Sequence, residues 1–128
     1  MYEVEITTNF SAAHRLRDYN GKCERLHGHN YKVIVSARAN SLGPGGMVID
    51  FGVLKAAANQ AVERLDHSYL NDVEPFDRLE PSAENIAAHL FEEVSKQLNE
   101  KANMLYSVSV WESDTSRATF RRDLDPST

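Results

Sequence analysis

The sequence predicts an α+β fold, in which an antiparallel four-stranded sheet carries two helices on one face. Four short segments alternate apolar and polar residues, which is typical of strands with one buried face. Two longer segments place apolar residues at helical spacing. The predicted order is ββααββ, without the regular βα alternation of a parallel sheet, so an antiparallel sheet packed against helices is favoured.

The first two strands are predicted on either side of a long loop. Apolar and polar residues alternate over residues 2–7 and again over residues 30–38, where β-branched residues favour an extended chain. Residues 11–29 show no such period and are rich in His, Arg, Asn and Gly. A long ordered loop in a small domain is more often functional than idle, so we expect a site here.

Two amphipathic helices are predicted in the middle of the chain. After a turn at residues 41–46 and an extended segment at 47–49, Asp50 is the expected N-cap of the first helix. The second helix begins after Pro81, with Ser82 as its N-cap. The expected buried stripes are Leu54, Ala57, Ala58, Ala61, Val62 and Leu65 in the first helix, and Ile86, Ala87, Leu90, Phe91, Val94 and Leu98 in the second.

The last two strands are predicted as a hairpin around a turn at residues 113–116. Tyr106, Val108 and Val110 share one face of the first of these strands. Glu112 continues that face, where a carboxylate needs a partner, and a ligand with adjacent N–H donors would serve. The plainer interpretation is a glutamate that turns to solvent at the end of the strand.

Length and composition exclude several classes of protein. With 128 residues, the chain is expected to form one domain spanning residues 1–128. It has no apolar run near the roughly 20 residues that a bilayer requires, and its start lacks a signal segment, so we expect a cytoplasmic protein that does not bind membranes. The net charge of −5 and the lack of a long basic run argue against nucleic-acid binding.

The single cysteine, Cys23, cannot form an internal disulfide. It is therefore a buried packing residue, a metal ligand or a reactive thiol, and the residues alone leave these alternatives open. The charged neighbours Lys22, Glu24 and Arg25 disfavour a dry core position.

Three histidines are candidates for a metal site. His27 and His29 are two residues apart, so on an extended segment both imidazoles project to the same face. His14 could supply a third nitrogen. Three imidazoles with an open fourth position are typical of catalytic zinc. The alternative is that these are ordinary polar loop histidines.

The two remaining histidines are treated differently. Asp66 precedes His67 directly, and a carboxylate beside an imidazole could set its tautomer or join a proton relay. The plainer alternative is a histidine favoured by the dipole at the end of a helix. His89 lies away from the apolar stripe of the second helix, so we expect it to face solvent and leave it out of the site.

Taken in order, these motifs resemble the 6-pyruvoyltetrahydropterin synthase family along nearly the whole chain. The spacing of the cysteine and the His-Gly-His motif is similar to that of the bacterial branch, whose members make 6-carboxytetrahydropterin in the queuosine pathway. One departure is Ala83, where the family carries a hydroxyl residue more often. The motifs are residues 10–14 (FSAAH), Cys23, 27–31 (HGHNY), 48–51 (VIDF), 65–67 (LDH) with 70–71 (LN), 81–85 (PSAEN) and Glu112.

The resemblance implies a fold, an assembly and a set of site residues. The fold would be the tunnelling fold, in which small subunits join their sheets into a barrel as a trimer or a dimer of trimers, with active sites at subunit interfaces. One Zn²⁺ per subunit would be bound by three ligands. The implied roles are zinc ligation for His14, His27 and His29, catalysis for Cys23 as base with Asp66 and His67 as relay, and substrate binding for Glu112 and for the hydroxyl of Ser82.

The resemblance also implies a reaction. The substrate would be 7,8-dihydroneopterin triphosphate, converted to 6-carboxy-5,6,7,8-tetrahydropterin with release of acetaldehyde and triphosphate. The alternatives are a synthase that gives the 6-pyruvoyl product, and a pterin- or zinc-binding module without turnover. Candidate cations for the triphosphate, chosen only for their nearness in sequence, are Arg15, Lys22, Arg25 and Lys32.

Overall fold

The computed structural model describes residues 1–19 and 24–123. The predicted catalytic residue Cys23 lies outside these ranges. Five strands and two α-helices make up the fold, with short 3₁₀ helices at Pro44–Gly46, Leu70–Asp72 and Asn99–Met104. The strands are β1 (Tyr2–His14), β2 (His27–Ala39), β3 (Ser68–Tyr69), β4 (Leu105–Ser113) and β5 (Ser116–Arg121), and the helices are α1 (Phe51–Glu63) and α2 (Ala83–Leu98).

The strands form one sheet in the order β3-β1-β2-β4-β5. The predicted α+β class is confirmed, and the long strands pair antiparallel, as predicted. The predicted sheet lacked one strand, because β3 has only two residues and pairs parallel with Ala12 and Ala13 of β1. Two residues are too few to show a period of two in the sequence.

The hairpin of β1 and β2 is longer than predicted. Its strands pair without interruption from Tyr2 opposite Ala39 to His14 opposite His27. The predicted loop at residues 11–29 was therefore wrong at both ends. Ser11 and Ala12 continue the alternation, but small and polar side chains hide it, because the pattern is recognised from large apolar residues.

Both helices pack on one face of the sheet, as predicted. Their stripes share a core with inward-facing strand residues such as Phe10, Tyr31 and Val33, all at most 1% exposed. Both predicted N-caps are confirmed. The side chain of Asp50 accepts from the Gly52 amide at the start of α1, and that of Ser82 accepts from the Asn85 amide at the start of α2. No helix in the described part of the chain is long and apolar enough to cross a membrane.

Three local predictions were wrong. Residues 47–49 form no strand, and residues 48 and 49 are bends rather than extended structure. Tyr106 does not share the buried face of β4, because an irregularity in its pairing with β2 places Leu105 there at 1% exposure. The ring of Tyr106 stacks on Arg38 instead, with 3.5 Å between ring centroid and guanidinium carbon. His89 is half-buried rather than exposed, and it packs edge-on against Phe76.

Candidate metal centre

Three histidines converge where the β1–β2 hairpin ends. His14 and His27 form its last residue pair, so their side chains leave the same face of the sheet side by side. His29 follows His27 by two residues and shares this face. One ligand nitrogen from each ring lies within 4.8 Å of the others. The predicted juxtaposition is therefore present.

Hydrogen bonds to the backbone determine which nitrogen of two of these rings faces the centre. Nδ1 of His14 lies 2.7 Å from the carbonyl oxygen of Pro81, and Nδ1 of His27 lies 2.7 Å from that of Arg25. A carbonyl only accepts, so each Nδ1 carries the proton and each Nε2 of the neutral ring keeps a lone pair. The two Nε2 atoms are 3.1 Å apart.

This spacing fits a metal ion. Two nitrogen lone pairs that face each other at hydrogen-bond distance need a cation between them. Nitrogen ligands about 2.0–2.1 Å from a tetrahedral Zn²⁺ lie about 3.3 Å from each other, close to the distance between His14 and His27. Backbone carbonyls that accept from the opposite ring nitrogen are common partners of zinc-bound imidazoles.

His29 supplies a third free nitrogen. Its Nε2 is buried and has no hydrogen-bond partner among the described residues. A buried polar atom left unpaired costs about 1–3 kcal/mol, and a bound metal would give it a partner. Burial also lowers the pKa of His29, which favours the neutral form that a metal ligand needs.

Two stacked aromatic rings form the floor of the centre. Phe10 and Tyr31 stack with 4.6 Å between their centroids, and the phenol oxygen of Tyr31 lies 3.2 Å from Nδ1 of His14. Burial raises the pKa of Tyr31, so its phenol keeps its proton. These two rings are closely packed and largely apolar, and their contact with His14 holds its imidazole ring in place.

Glu112 lies beside the three histidines. Its Oε1 is 3.2 Å from Nε2 of His14 and 3.6 Å from Nε2 of His29. It follows Val108 and Val110 on the inward face of β4, as the sequence pattern predicted, and its side chain is 32% exposed. A carboxylate at this distance lowers the energy of a cation at the centre.

A cavity of about 350 Å³ extends from Glu112 to the start of α2. Ala83, Glu84 and Arg117 line this cavity. Glu84 and Arg117 were not predicted as site residues, although Glu84 belongs to the PSAEN motif. Ser82 is not among the lining residues. Its hydroxyl oxygen accepts from the amide of Asn85 at 3.2 Å as the helix N-cap.

The Asp66–His67 pair forms as predicted, but at the β3 edge of the sheet. Oδ2 of Asp66 lies 3.1 Å from Nδ1 of His67, and the described contacts of His67 do not include the three histidines. The hydrogen bond from the Ser11 amide lowers the pKa of Asp66. The carboxylate therefore stays ionised and can orient the imidazole.

His67 is presented outward on a strained backbone. Its φ is +57°, a left-handed conformation that is uncommon for any residue other than glycine, and its side chain is 83% exposed. Its amide donates to the Ser11 carbonyl at 2.6 Å, which holds the conformation in place. Strain of this kind is found most often at functional sites.

The predicted triphosphate cations are only partly described. Lys22 lies outside the described residues, and Arg15 and Arg25 are exposed. Lys32 lies between the buried residues Tyr31 and Val33, so it points to the other face of the sheet, away from the three histidines.

The fold and the site together define a class: an α+β protein whose three-histidine cluster can hold a metal ion beside an acidic cavity. A family model described as "6-pyruvoyl tetrahydropterin synthase" matches residues 3–123. The chain therefore belongs to the 6-pyruvoyltetrahydropterin synthase family of enzymes, and the predicted tunnelling fold is that of its structural neighbours.

Individual relatives agree with this assignment. A 6-carboxy-5,6,7,8-tetrahydropterin synthase from Synechocystis is 41% identical over 127 residues, which cover 94% of this chain and 93% of the relative. A putative enzyme of the same name from Archaeoglobus fulgidus is 37% identical over 120 residues, covering 93% and 95%. The structure of a 6-pyruvoyl tetrahydropterin synthase from Caenorhabditis elegans superimposes with a TM-score of 0.84 at 30% identity, covering 95% and 96%.

Proposed function

We propose that the protein is a zinc-dependent lyase that converts 7,8-dihydroneopterin triphosphate and one water molecule to 6-carboxy-5,6,7,8-tetrahydropterin, acetaldehyde and triphosphate. The observation that carries the proposal is the three-histidine cluster, in which two inward lone pairs and one unpartnered buried nitrogen meet beside Glu112. The names of the relatives give the class of product, a 6-carboxytetrahydropterin.

His14, His27 and His29 would hold one Zn²⁺ per subunit. The bound ion would act as a Lewis acid on the hydroxyl groups of the substrate side chain and would acidify the adjacent C–H and O–H bonds. The contribution of the chain is to aim one nitrogen of each imidazole at one point. The backbone acceptors that bind Nδ1 of His14 and of His27, and the buried Nε2 of His29, support this role.

Glu112 would anchor the pterin ring. A carboxylate accepts two parallel hydrogen bonds from the amino group and the adjacent ring N–H of a pterin, which fixes the orientation of the ring. The cavity next to Glu112 supports this position for the ring, and Glu84 adds a second acceptor there. Ser82 does not line this cavity, but its hydroxyl proton is not used by the cap hydrogen bond and would be donated to the substrate in this proposal.

Cys23 and the Asp66–His67 pair would move the protons. A thiolate at Cys23 would remove a proton from the substrate side chain. His67, oriented by Asp66, relays a proton on the opposite side. The exposure of His67 supports a role in the active site of a neighbouring subunit, within a trimer or dimer of trimers whose sheets join into a barrel.

Experiment can distinguish the proposed function from two alternatives. A 6-pyruvoyltetrahydropterin synthase would use the same residues but would retain the side-chain carbons and release no acetaldehyde. A binding module without turnover would have no use for a thiol and an oriented Asp–His pair.

The proposal also includes a pathway and a compartment. A carboxy product would belong to queuosine synthesis, and the enzyme would act in the cytoplasm, where a thiol such as that of Cys23 stays reduced.

The role of Cys23 provides the test of the proposal. We expect Cys23→Ala to lower turnover by about 10²–10⁴-fold, as for the loss of a general base, while zinc content stays near one ion per subunit. Acetaldehyde release and metal analysis measure the two quantities on the same sample. Wild-type protein stripped with a chelator and then reloaded is the control, and its activity should disappear and return.

Two results would contradict this assignment. Full turnover in Cys23→Ala would remove the thiol from the mechanism. Loss of zinc from that variant would make Cys23 a ligand rather than a base.

A further inference from the structure

Three residues near His14 take no part in the proposed reaction: Arg17, Asn71 and Glu80. We infer that they are positioning residues of the metal centre, because they hold the backbone that follows His14 and the segment whose carbonyl orients its ring. We call these three residues the clamp. The inference rests on the proposed three-histidine zinc site and deepens it.

Asn71 holds the backbone directly after His14. The pairing of β1 with β2 ends at His14, and β3 pairs with β1 only at Ala12 and Ala13, so the described sheet gives Arg15 no strand partner. Asn71 takes that place. Its Oδ1 accepts from the Arg15 amide at 3.0 Å, and its Nδ2 donates to the Arg15 carbonyl at 2.9 Å. At 7% exposure, this amide satisfies both backbone groups where water has little access.

Arg17 holds the second segment. Its guanidinium donates to the carbonyls of Phe76 and Leu79, to the carbonyl of Asn71 at 3.3 Å and to Oε1 of Glu80 at 3.3 Å. The backbone amide of Arg17 donates to Oε2 of the same Glu80 at 2.6 Å. One side chain thus ties residues 71, 76, 79 and 80 to the chain three residues beyond His14.

These contacts converge next to the carbonyl group that accepts the hydrogen bond from His14. Pro81 follows Glu80, and its carbonyl is the partner of His14 Nδ1 at 2.7 Å. Nδ2 of Asn85 also donates to the Glu80 carbonyl at 2.9 Å. The clamp therefore fixes both ends of the hydrogen bond that sets the tautomer and the ring orientation of His14. Loss of such an outer partner typically costs about 10–100-fold in metal affinity.

The clamp is tested by zinc affinity, measured by competition with a chromophoric chelator. We expect Asn71→Ala and Arg17→Met each to weaken zinc binding by about 10–100-fold. Ser36→Ala is the matched control, because it removes an equally buried polar contact, to Ser107, in the middle of the sheet. Its zinc affinity should equal that of the wild type. The visible spectrum of bound Co²⁺ should change in the clamp variants and stay unchanged in the control.

A thermodynamic cycle separates positioning from general loss of stability. In a His14→Ala background the clamp has no ligand to position, so adding Asn71→Ala should not weaken zinc binding further. In a His27→Ala background the same substitution should still weaken it. Equal loss with and without His14, or wild-type affinity in both clamp variants, would overturn the inference.

The outcome is distinguishable from failure of the proposed function. A wild-type protein that binds zinc tightly, shows the cycle above and forms no tetrahydropterin would overturn the reaction and leave the clamp in place. If His14→Ala leaves zinc affinity unchanged, the metal site is wrong and the clamp fails with it.

Discussion

His14 is the residue on which the site depends most. It is 2% exposed, it donates to Pro81, and its free nitrogen lies near His27 and Glu112. One nitrogen of this buried imidazole is already hydrogen-bonded within the protein, and water has little access to the ring. The orientation of the ring is therefore fixed before any ligand binds. Contacts within this chain thus preorganise the three-histidine cluster.

Glu112 has two candidate partners, the bound metal ion and the pterin ring, and a substitution can tell which of them it serves. We expect Glu112→Gln to raise KM for the pterin substrate by about 10–100-fold, because a charge-assisted pair of hydrogen bonds worth about 1.5–3 kcal/mol is lost. Zinc content should not change. Steady-state kinetics and metal analysis measure both effects, with Asp114→Asn in the exposed hairpin turn as control.

A different result would reassign Glu112. Its Oε1 already lies 3.2 Å from His14, so loss of zinc from Glu112→Gln with an unchanged KM would make this carboxylate a support of the metal rather than of the pterin.

The sequence predicted the positions and contacts of some site residues but not of others. The spacing of His27 and His29 is local, so a strand period was enough to bring them together. The tautomer of His14 depends on Pro81, which is 67 residues away, and no local pattern contains it. His89 was misassigned because Phe76, from a connecting segment, covers it. Contacts made by irregular segments lack a period from which to predict them.

At the scale of elements, the start of α2 serves both the helix and the site. Ser82 caps the helix, and Ala83 and Glu84 line the cavity beside Glu112. The predicted hydroxyl contact to substrate and the structural cap therefore belong to the same side chain. Substitutions that keep one role and remove the other can tell them apart.

We expect Ser82→Ala to lower the free energy of unfolding by about 1 kcal/mol, the usual cost of a lost N-cap, and also to raise KM. Ser82→Asp keeps a capping oxygen, so it should retain stability while KM still rises. Urea unfolding and steady-state kinetics measure the two effects. Asp50→Ala is the matched control, since it removes the cap of α1 and should lower stability without changing KM. An unchanged KM in both Ser82 variants would limit this residue to capping.

Elements with a clear period were predicted well, and irregular ones were not. The caps and most of the helix stripes agree with the structure because amphipathic spacing and capping are local signals, but Leu65 lies beyond the end of α1 and Phe91 is only partly buried. The extra residue in β4, which moves Tyr106 off the buried face, and the two-residue strand β3 both depend on pairing with a distant strand. Pairing of this kind is a tertiary property that overrides local alternation.

Across the whole molecule, no described contact joins His67 to the three histidines, although His29 and His67 line one cavity of about 380 Å³. The three histidines lie inside the hairpin end, whereas His67 stands exposed at the β3 edge. The proposed sharing of sites between subunits accounts for the exposure of His67.

Mixed oligomers test the sharing of sites. We expect Cys23→Ala and His67→Ala to be nearly inactive when each is made alone. When both are co-expressed, sites that combine an intact Cys23 with an intact His67 from another subunit should restore about a quarter of wild-type turnover, by random assembly. Activity no higher than that of either variant alone would show that each site is built from one chain.

The most direct test of the proposed function is the product that zinc-loaded protein forms from 7,8-dihydroneopterin triphosphate, identified by mass spectrometry. We predict 6-carboxy-5,6,7,8-tetrahydropterin, with one acetaldehyde and one triphosphate released for each molecule formed. A 6-pyruvoyl product without acetaldehyde, or substrate recovered unchanged from protein that holds zinc, would contradict the assignment.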